Sequence, residues 1–268
     1  MRDAMSEYLR KTEGSIMDVS AGKKDMMTHE DWDSIAKQNS ELSALAEAGR
    51  LCDLVRALRE ADWDLSAMCD YEYQQDHCRA FWGPTAVHSE QDMALIRSWI
   101  PDFSMVADVG FGYGYLLQYL AQTMPQEQLI GIDSSERACA LIREKLPDAS
   151  VILADAQDIS AVPTGSCEVV ILMEVVEHLS PAAGQRVLNE AYRICADGGC
   201  LIVSTRINEN LGRSLLRCPS CQQVQHPAGH IRSFSETLLR AELQIAGWWC
   251  AEIERSPGGI LTRCVKRS

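Results

Sequence analysis

Three groups of residues in this chain have types and spacings that could do chemistry. The first is Asp108-Val109-Gly110-Phe111-Gly112-Tyr113-Gly114, where an apolar run closes in an acid and meets three alternate glycines. Alternate glycines let a backbone turn tightly and leave no side chain in a ligand's way, so this reads as a nucleotide-binding loop at a strand end. The second is Glu174-Val175-Val176-Glu177-His178. Helical continuation would set its two carboxylates and imidazole at i, i+3 and i+4 on one face. That donor set suits Mg, Mn, Fe or Zn rather than a soft thiolate metal. The third is Cys218-Pro219-Ser220-Cys221 followed by His226 and His230. Two thiolates and two imidazoles at this spacing could close a tetrahedral zinc site. His230 cannot serve both metals. One division leaves Cys218, Cys221 and His226 to zinc, with Cys250 or Cys264 as fourth ligand; the other leaves a metal-free loop.

Elements must exist to position these groups. Leu116, Leu117, Leu120 and Ala121 recur at helical spacing after the glycines, and Leu129-Ile130-Gly131-Ile132-Asp133 reads as a second buried strand ending in an acid. A strand-helix-strand unit of this length brings such an acid to a ribose diol; a helix N-cap is the plainer role for Asp133. Val151–Leu153 leads into Ala154-Asp155-Ala156, Val169–Met173 is a further apolar run, and Cys200–Thr205 follows Ala196-Asp197-Gly198-Gly199. Upstream, Leu42, Leu45, Ala46, Cys52, Val55 and Leu58 predict one amphipathic helix, and residues 88 to 99 another. Residues 1 to about 40 show no sustained period and read as a loosely docked extension. Tyr71, Tyr73, Phe81 and Trp82 are either walls of an acceptor pocket or anchors of an N-terminal helix.

In this order the motifs resemble the class I S-adenosylmethionine-dependent methyltransferases, over roughly residues 86 to 268. The resemblance implies an α/β fold: a doubly wound, Rossmann-like, seven-stranded sheet with a helical N-terminal extension. Residues 1–85 would form that extension or cap, and 86–268 the core, with an insertion at about 207–233. It also implies S-adenosyl-L-methionine as cofactor. Asp108 and Gly110 would lie near the methionine amino group, Gly112 and Gly114 would give backbone clearance, and Asp133 would meet the ribose hydroxyls. Asp155 and Ala156 would meet the adenine edge, with Met173 and Glu174 bordering the reacting centre. The Glu-x-x-Glu-His motif resembles a metal-dependent subset that includes ubiquinone-pathway O-methyltransferases and small-RNA 3′-terminal 2′-O-methyltransferases. Carried over, it makes Glu174, Glu177, His178 and His230 ligands of a divalent metal. Relatives without a metal use such a histidine as packing or as a base, which leaves His178 or His230 as general base beside Glu174.

The implied reaction is O-methylation of a small-molecule hydroxyl. Methylation of an RNA 3′ end and a non-catalytic methyltransferase-like binding protein are the rival readings. Composition weighs on these. A chain of 268 residues with 46% hydrophobic content can bury one large core. A net charge of −13 repels phosphate backbones and disfavours nucleic acid as partner. Arg206, Arg213, Arg217 and Arg232 would suit an anionic small substrate if they are not simply solvated. No apolar run reaches membrane length and Met1–Glu7 lacks a signal core, so a cytoplasmic protein without membrane contact is expected. Eleven cysteines, an odd count, fit reduced thiols. The pattern leaves the acceptor's identity and the oligomeric state open.

Overall fold

The computed structural model describes residues 29–63, 89–217, 224–256 and 259–266. Tyr71, Tyr73, Phe81, Trp82, Cys218 and Cys221 lie outside them. The central sheet has seven strands: β1 (Val106–Val109), β2 (Leu129–Asp133), β3 (Ser150–Leu153), β4 (Cys167–Met173), β5 (Cys195–Arg206), β8 (Trp248–Ser256) and β9 (Gly259–Lys266). A two-residue hairpin, β6 (Leu216–Arg217) with β7 (Val224–Gln225), stands apart from it. The sheet order is β3-β2-β1-β4-β5-β9-β8. Strands β1 to β5 pair in parallel, and β9 enters antiparallel between β5 and β8. The chain winds outward from β1 to β3 and then returns to β4, so order reverses between β1 and β4. The crevice beyond the carboxyl ends of those two strands is where such sheets take ligands.

Strands covered on both faces need apolar residues on both, which is why β1 and β4 read as apolar runs interrupted only by Asp108 and Glu168. Their two-residue period divides them between two cores. Val106, Val169 and Ile171 face one with Ile96, Leu117, Leu120 and Ile142. Ala107, Val170 and Leu172 face the other with Leu54, Leu58, Val187 and Leu239. The flanking helices are α1 (His29–Glu47), α2 (Leu51–Glu60), α3 (Glu90–Trp99), α4 (Tyr115–Leu120), α5 (Glu136–Lys145), α6 (Pro181–Ile194) and α7 (Glu236–Ile245). Four of them begin at a serine whose side chain accepts the third helical N–H: Ser89, Ser135, Ser180 and Ser235. No helix among the described residues is long and apolar enough to cross a membrane.

Three expectations are revised. The helix read across Leu42 to Leu58 is two helices, because Gly49 takes a left-handed φ of 66° and closes α1. Gly49 N–H donates to Ala46 O and Arg50 N–H to Leu45 O, the paired bonds of a Schellman cap. Residues 29 to 40 are not loosely docked. Trp32, Ile35, Asn39, Leu42 and Ala46 are buried at helical spacing, a face that the polar residues between them hide in composition. Trp32 Nε1–H donates to Val224 O at 2.7 Å and Asn39 Nδ2–H to Ile231 O at 3.1 Å, so α1 braces the segment after β7. Finally, the Ala196–Gly199 turn lies within β5 as an excursion: Cys195 pairs with Cys167, but Cys200 pairs with Val169.

Candidate functional site

At the carboxyl end of β1 the chain turns through Gly110, Gly112 and Gly114 with φ of 77°, 55° and 67°. A side chain at Gly114 would stand 2.2 Å from Ile142 Cδ1, and one at Gly110 would stand 2.7 Å from Val175 Cγ2. Clearance at these two positions therefore serves packing against α5 and the turn after β4, beyond any clearance for a ligand. Asp133 fastens the loop: Oδ2 accepts Gly112 N–H at 2.8 Å and Oδ1 accepts Ser135 N–H at 2.9 Å. The cap of α5 is Ser135, so Asp133 supports that cap rather than being it.

Asp108 is 1% exposed and its Oδ1 has no hydrogen-bond partner. Burial, and then the charge of Asp133, push its pKa up to about 7. Asp155 is exposed and accepts Gln157 N–H at 2.8 Å; Ala156 is half-buried beside it, and Met173 is buried at the end of β4. Tyr113 and Tyr115, beyond the end of β1, and Leu153, the last residue of β3, are exposed large hydrophobic side chains. A buried carboxyl with one unbonded oxygen, a second carboxylate on the next strand and an apolar rim fit a cationic nucleoside.

Beyond β4 the expected helix does not form. Glu174 has φ 51°, and only Val176–His178 make a single 3-10 turn, so the three acidic and imidazole groups do not share a helix face. The Glu174 N–H donates to Ser204 O and Oγ at 3.2 and 3.1 Å. Its carboxylate accepts Ser204 Oγ–H at 2.8 Å and lies 3.7 Å from Arg206 Nε. Glu177 is fully buried: Oε2 accepts Thr205 Oγ1–H at 2.9 Å, while Oε1 has no partner. Burial, and then the nearby charge of Glu174, hold its pKa well above the usual carboxylate range.

The Glu177 carbonyl accepts Ile231 N–H and Arg232 N–H, which brings the segment after β7 over this turn. His178 is exposed, with Nδ1 at 3.1 Å from Gly229 O. His230 is buried, with Nδ1 at 2.7 Å from Glu209 Oε2, and the two rings meet edge to face at 5.0 Å. Ligand atoms of Glu177, His178 and His230 all lie within 4.8 Å of one another. The structure thus gathers three of the four expected ligands and turns Glu174 toward Ser204 and Arg206.

A second cluster joins Glu209, His226 and His230. His226 lies parallel to His230 at 4.7 Å, its Nε2 at 3.4 Å from Glu209 Oε1 and its Nδ1 accepting Ala228 N–H at 3.3 Å. Burial raises the Glu209 pKa, but hydrogen bonds from His226 and His230 outweigh it and hold the carboxyl below its usual range. Cys250 and Cys264, considered as zinc ligands, contact each other at 2.9 Å between β8 and β9. Cys264 pairs with Leu201, five residues before Arg206 on β5. Of the four arginines, Arg232 is excluded from solvent, bonded to Glu242 and stacked on Phe234, so it holds α7 instead of a substrate. Sequence reasoning missed Glu209, Ser204 and Thr205. The last two end an apolar strand, and Glu209 lies in an aperiodic polar stretch with no partner at recognisable spacing.

Residues 106–199 match the family model described as a methyltransferase domain. A trans-aconitate 2-methyltransferase of Acidovorax sp. (strain JS42) is 33% identical over 98 residues, 37% of this chain and 36% of that protein. The match thus spans about a third of the relative's length. Among solved structures, 1,6-didemethyltoxoflavin-N1-methyltransferase from Burkholderia thailandensis is 12% identical with a TM-score of 0.55. It covers 95% of this chain and 99% of its own, and was solved with 1,6-didemethyltoxoflavin and S-adenosylhomocysteine bound. A methyltransferase from Methanosarcina mazei is 16% identical with a TM-score of 0.54, over 65% of this chain and 97% of its own. At these identities the likeness is one of fold. Residues 106–199 are thus similar in sequence to a methyltransferase domain, and the seven-stranded sheet around them has the fold of these methyltransferase structures.

Proposed function

We propose that this protein transfers the methyl group of S-adenosylmethionine to an oxygen of a small acceptor bound between the ends of β1 and β4. The observation that carries this reading is the pair of buried, incompletely bonded carboxylates there, Asp108 and Glu177. The donor supplies an already electrophilic methyl on sulfur, so the chain's own work is to bind, orient and manage a proton. Asp108, once ionised, would pair with the donor's ammonium group; Asp133 would accept from the ribose hydroxyls, and Asp155 and Ala156 would border the adenine. A nitrogen of His178 or His230 would take the proton of an acceptor hydroxyl. Glu177, His178 and His230 also form a two-imidazole, one-carboxylate set that would hold a divalent cation, whose chemistry would be to lower the hydroxyl's pKa.

A second reading is favoured by the trans-aconitate relatives and by half-exposed Arg206. The acceptor would then be a carboxylate, ionised at neutral pH and needing no base. An RNA 3′ end is opposed by the charge of −13. The test is methyl transfer from labelled donor to hydroxyl and carboxylate acceptors, with and without chelator, beside calorimetry of the donor. Activity lost to chelator and restored by a divalent ion supports the cation; a metal-free active enzyme removes it. Transfer to carboxylates alone selects the second reading, and donor binding without turnover on any acceptor would leave a binding protein.

A further inference from the structure

Glu209 lies outside every motif discussed above, yet its two carboxylate oxygens each face an imidazole: Oε1 that of His226 and Oε2 that of His230. Ala228 N–H donates to His226 Nδ1, so that nitrogen holds a lone pair and His226 carries its proton on Nε2, facing Glu209. A carboxylate only accepts, so the 2.7 Å contact to His230 requires the proton on Nδ1 of that ring. The lone pair of neutral His230 is then confined to Nε2. His178 shows the same arrangement with a backbone acceptor, its Nδ1 facing the Gly229 carbonyl. Both imidazoles grouped with the Glu177 carboxylate are therefore fixed in one tautomer.

We propose that Glu209 is a positioning residue, which locks His230 with Nδ1–H toward itself and so commits Nε2 to the cluster with Glu177 and His178. The support behind it is rigid. Asn208, at φ 54°, donates its N–H to Phe234 O, and Ile207 bridges Phe234, so the turn presenting Glu209 is tied to the strand-like end of the histidine segment. Trp32 and Asn39 hold that segment from the other side. Outer partners of this kind set ligand basicity and ring orientation, and their removal costs about 10–100-fold in metal affinity. The inference deepens the proposed reading of Glu177, His178 and His230 and rests on it.

The test uses two variants of the full chain. Glu209→Leu removes both acceptors at similar size; Glu209→Ala removes them with less bulk and serves if the leucine variant does not fold. Long-range proton–nitrogen NMR on metal-free, nitrogen-15-labelled protein reads the imidazole tautomers directly. The Nδ1–H form of His230 is expected to dominate in the parent and to lose that dominance in the variant. Cobalt(II) titration, followed by its visible absorption, is expected to weaken by about 10–100-fold. An unchanged His230 tautomer in a folded variant overturns the proposal, as does an unchanged cobalt affinity in a protein that binds cobalt. If the parent takes up no cobalt, the cation reading falls, while the tautomer measurement still decides the role of Glu209.

Discussion

The two halves of the site are built by different means. On the side proposed for the donor, Asp108, the glycine loop and Asp133 lie within 26 residues, and backbone N–H groups of Gly112 and Ser135 fasten the loop to the Asp133 carboxylate. On the histidine side, Glu177, Glu209 and the pair His226 and His230 come from three segments and meet through side chains, with α1 bracing the result. A contiguous loop at a strand end is set by local geometry, whereas an assembled cluster depends on long-range packing and falls apart if any support is removed.

Mutations can test that contrast. The largest effect is expected on the assembled side. Trp32→Ala, which empties a site only 2% exposed, should cost about 3–5 kcal/mol in urea unfolding. Amide exchange should quicken at Val224 and Ile231, while donor affinity stays within about twofold, as for distant independent sites. A matching loss of donor affinity would dissolve the distinction. On the contiguous side, Gly114→Ala should cost about 1–2 kcal/mol for the left-handed backbone and about 1–3 more for collision with Ile142. Here it is donor affinity that should fall, by calorimetry.

A smaller effect is one of pH. With its pKa raised to about 7 by burial and by Asp133, Asp108 is neutral below that value and cannot pair with an ammonium group. Donor affinity should therefore fall about tenfold for each pH unit below 7, and Asp108→Asn should flatten the profile. The stability term runs the other way. A carboxyl with a raised folded pKa contributes fully below its unfolded value, and that contribution is lost between about pH 4 and pH 7. The smallest expected effect is that of Asn208→Ala, about 1 kcal/mol for a left-handed residue, with Asn208→Gly near neutral. A cost as large as that of Gly114→Ala would mean the Asn208 turn is as crowded as the glycine loop.

The same contrast explains what could be read from the sequence. The first two strands and the glycine turn were legible because an apolar run, an acid and alternate glycines occur within one short window, whereas the seven-stranded sheet came through a resemblance. Glu177 and His178 were legible as a donor pair from their spacing, and their grouping with His230 only through a resemblance. Glu209 was not, since nothing in Arg206-Ile207-Asn208-Glu209-Asn210 signals that this acid meets two imidazoles 17 and 21 residues on. The helix expected from Glu174 gives way to a left-handed residue whose backbone and carboxylate bond Ser204 on the neighbouring strand, a long-range contact that no local pattern signals. The docking of α1 was hidden because polar residues outnumber the five that are buried.

The brace from α1 also has a temporal side. Trp32 and Asn39 each bond a residue 192 positions later in the chain. Contacts of such separation close slowly, after local pairs have formed. During synthesis the tryptophan face of α1 is made long before its counterpart exists, so the histidine pocket is among the last parts of the molecule to be completed.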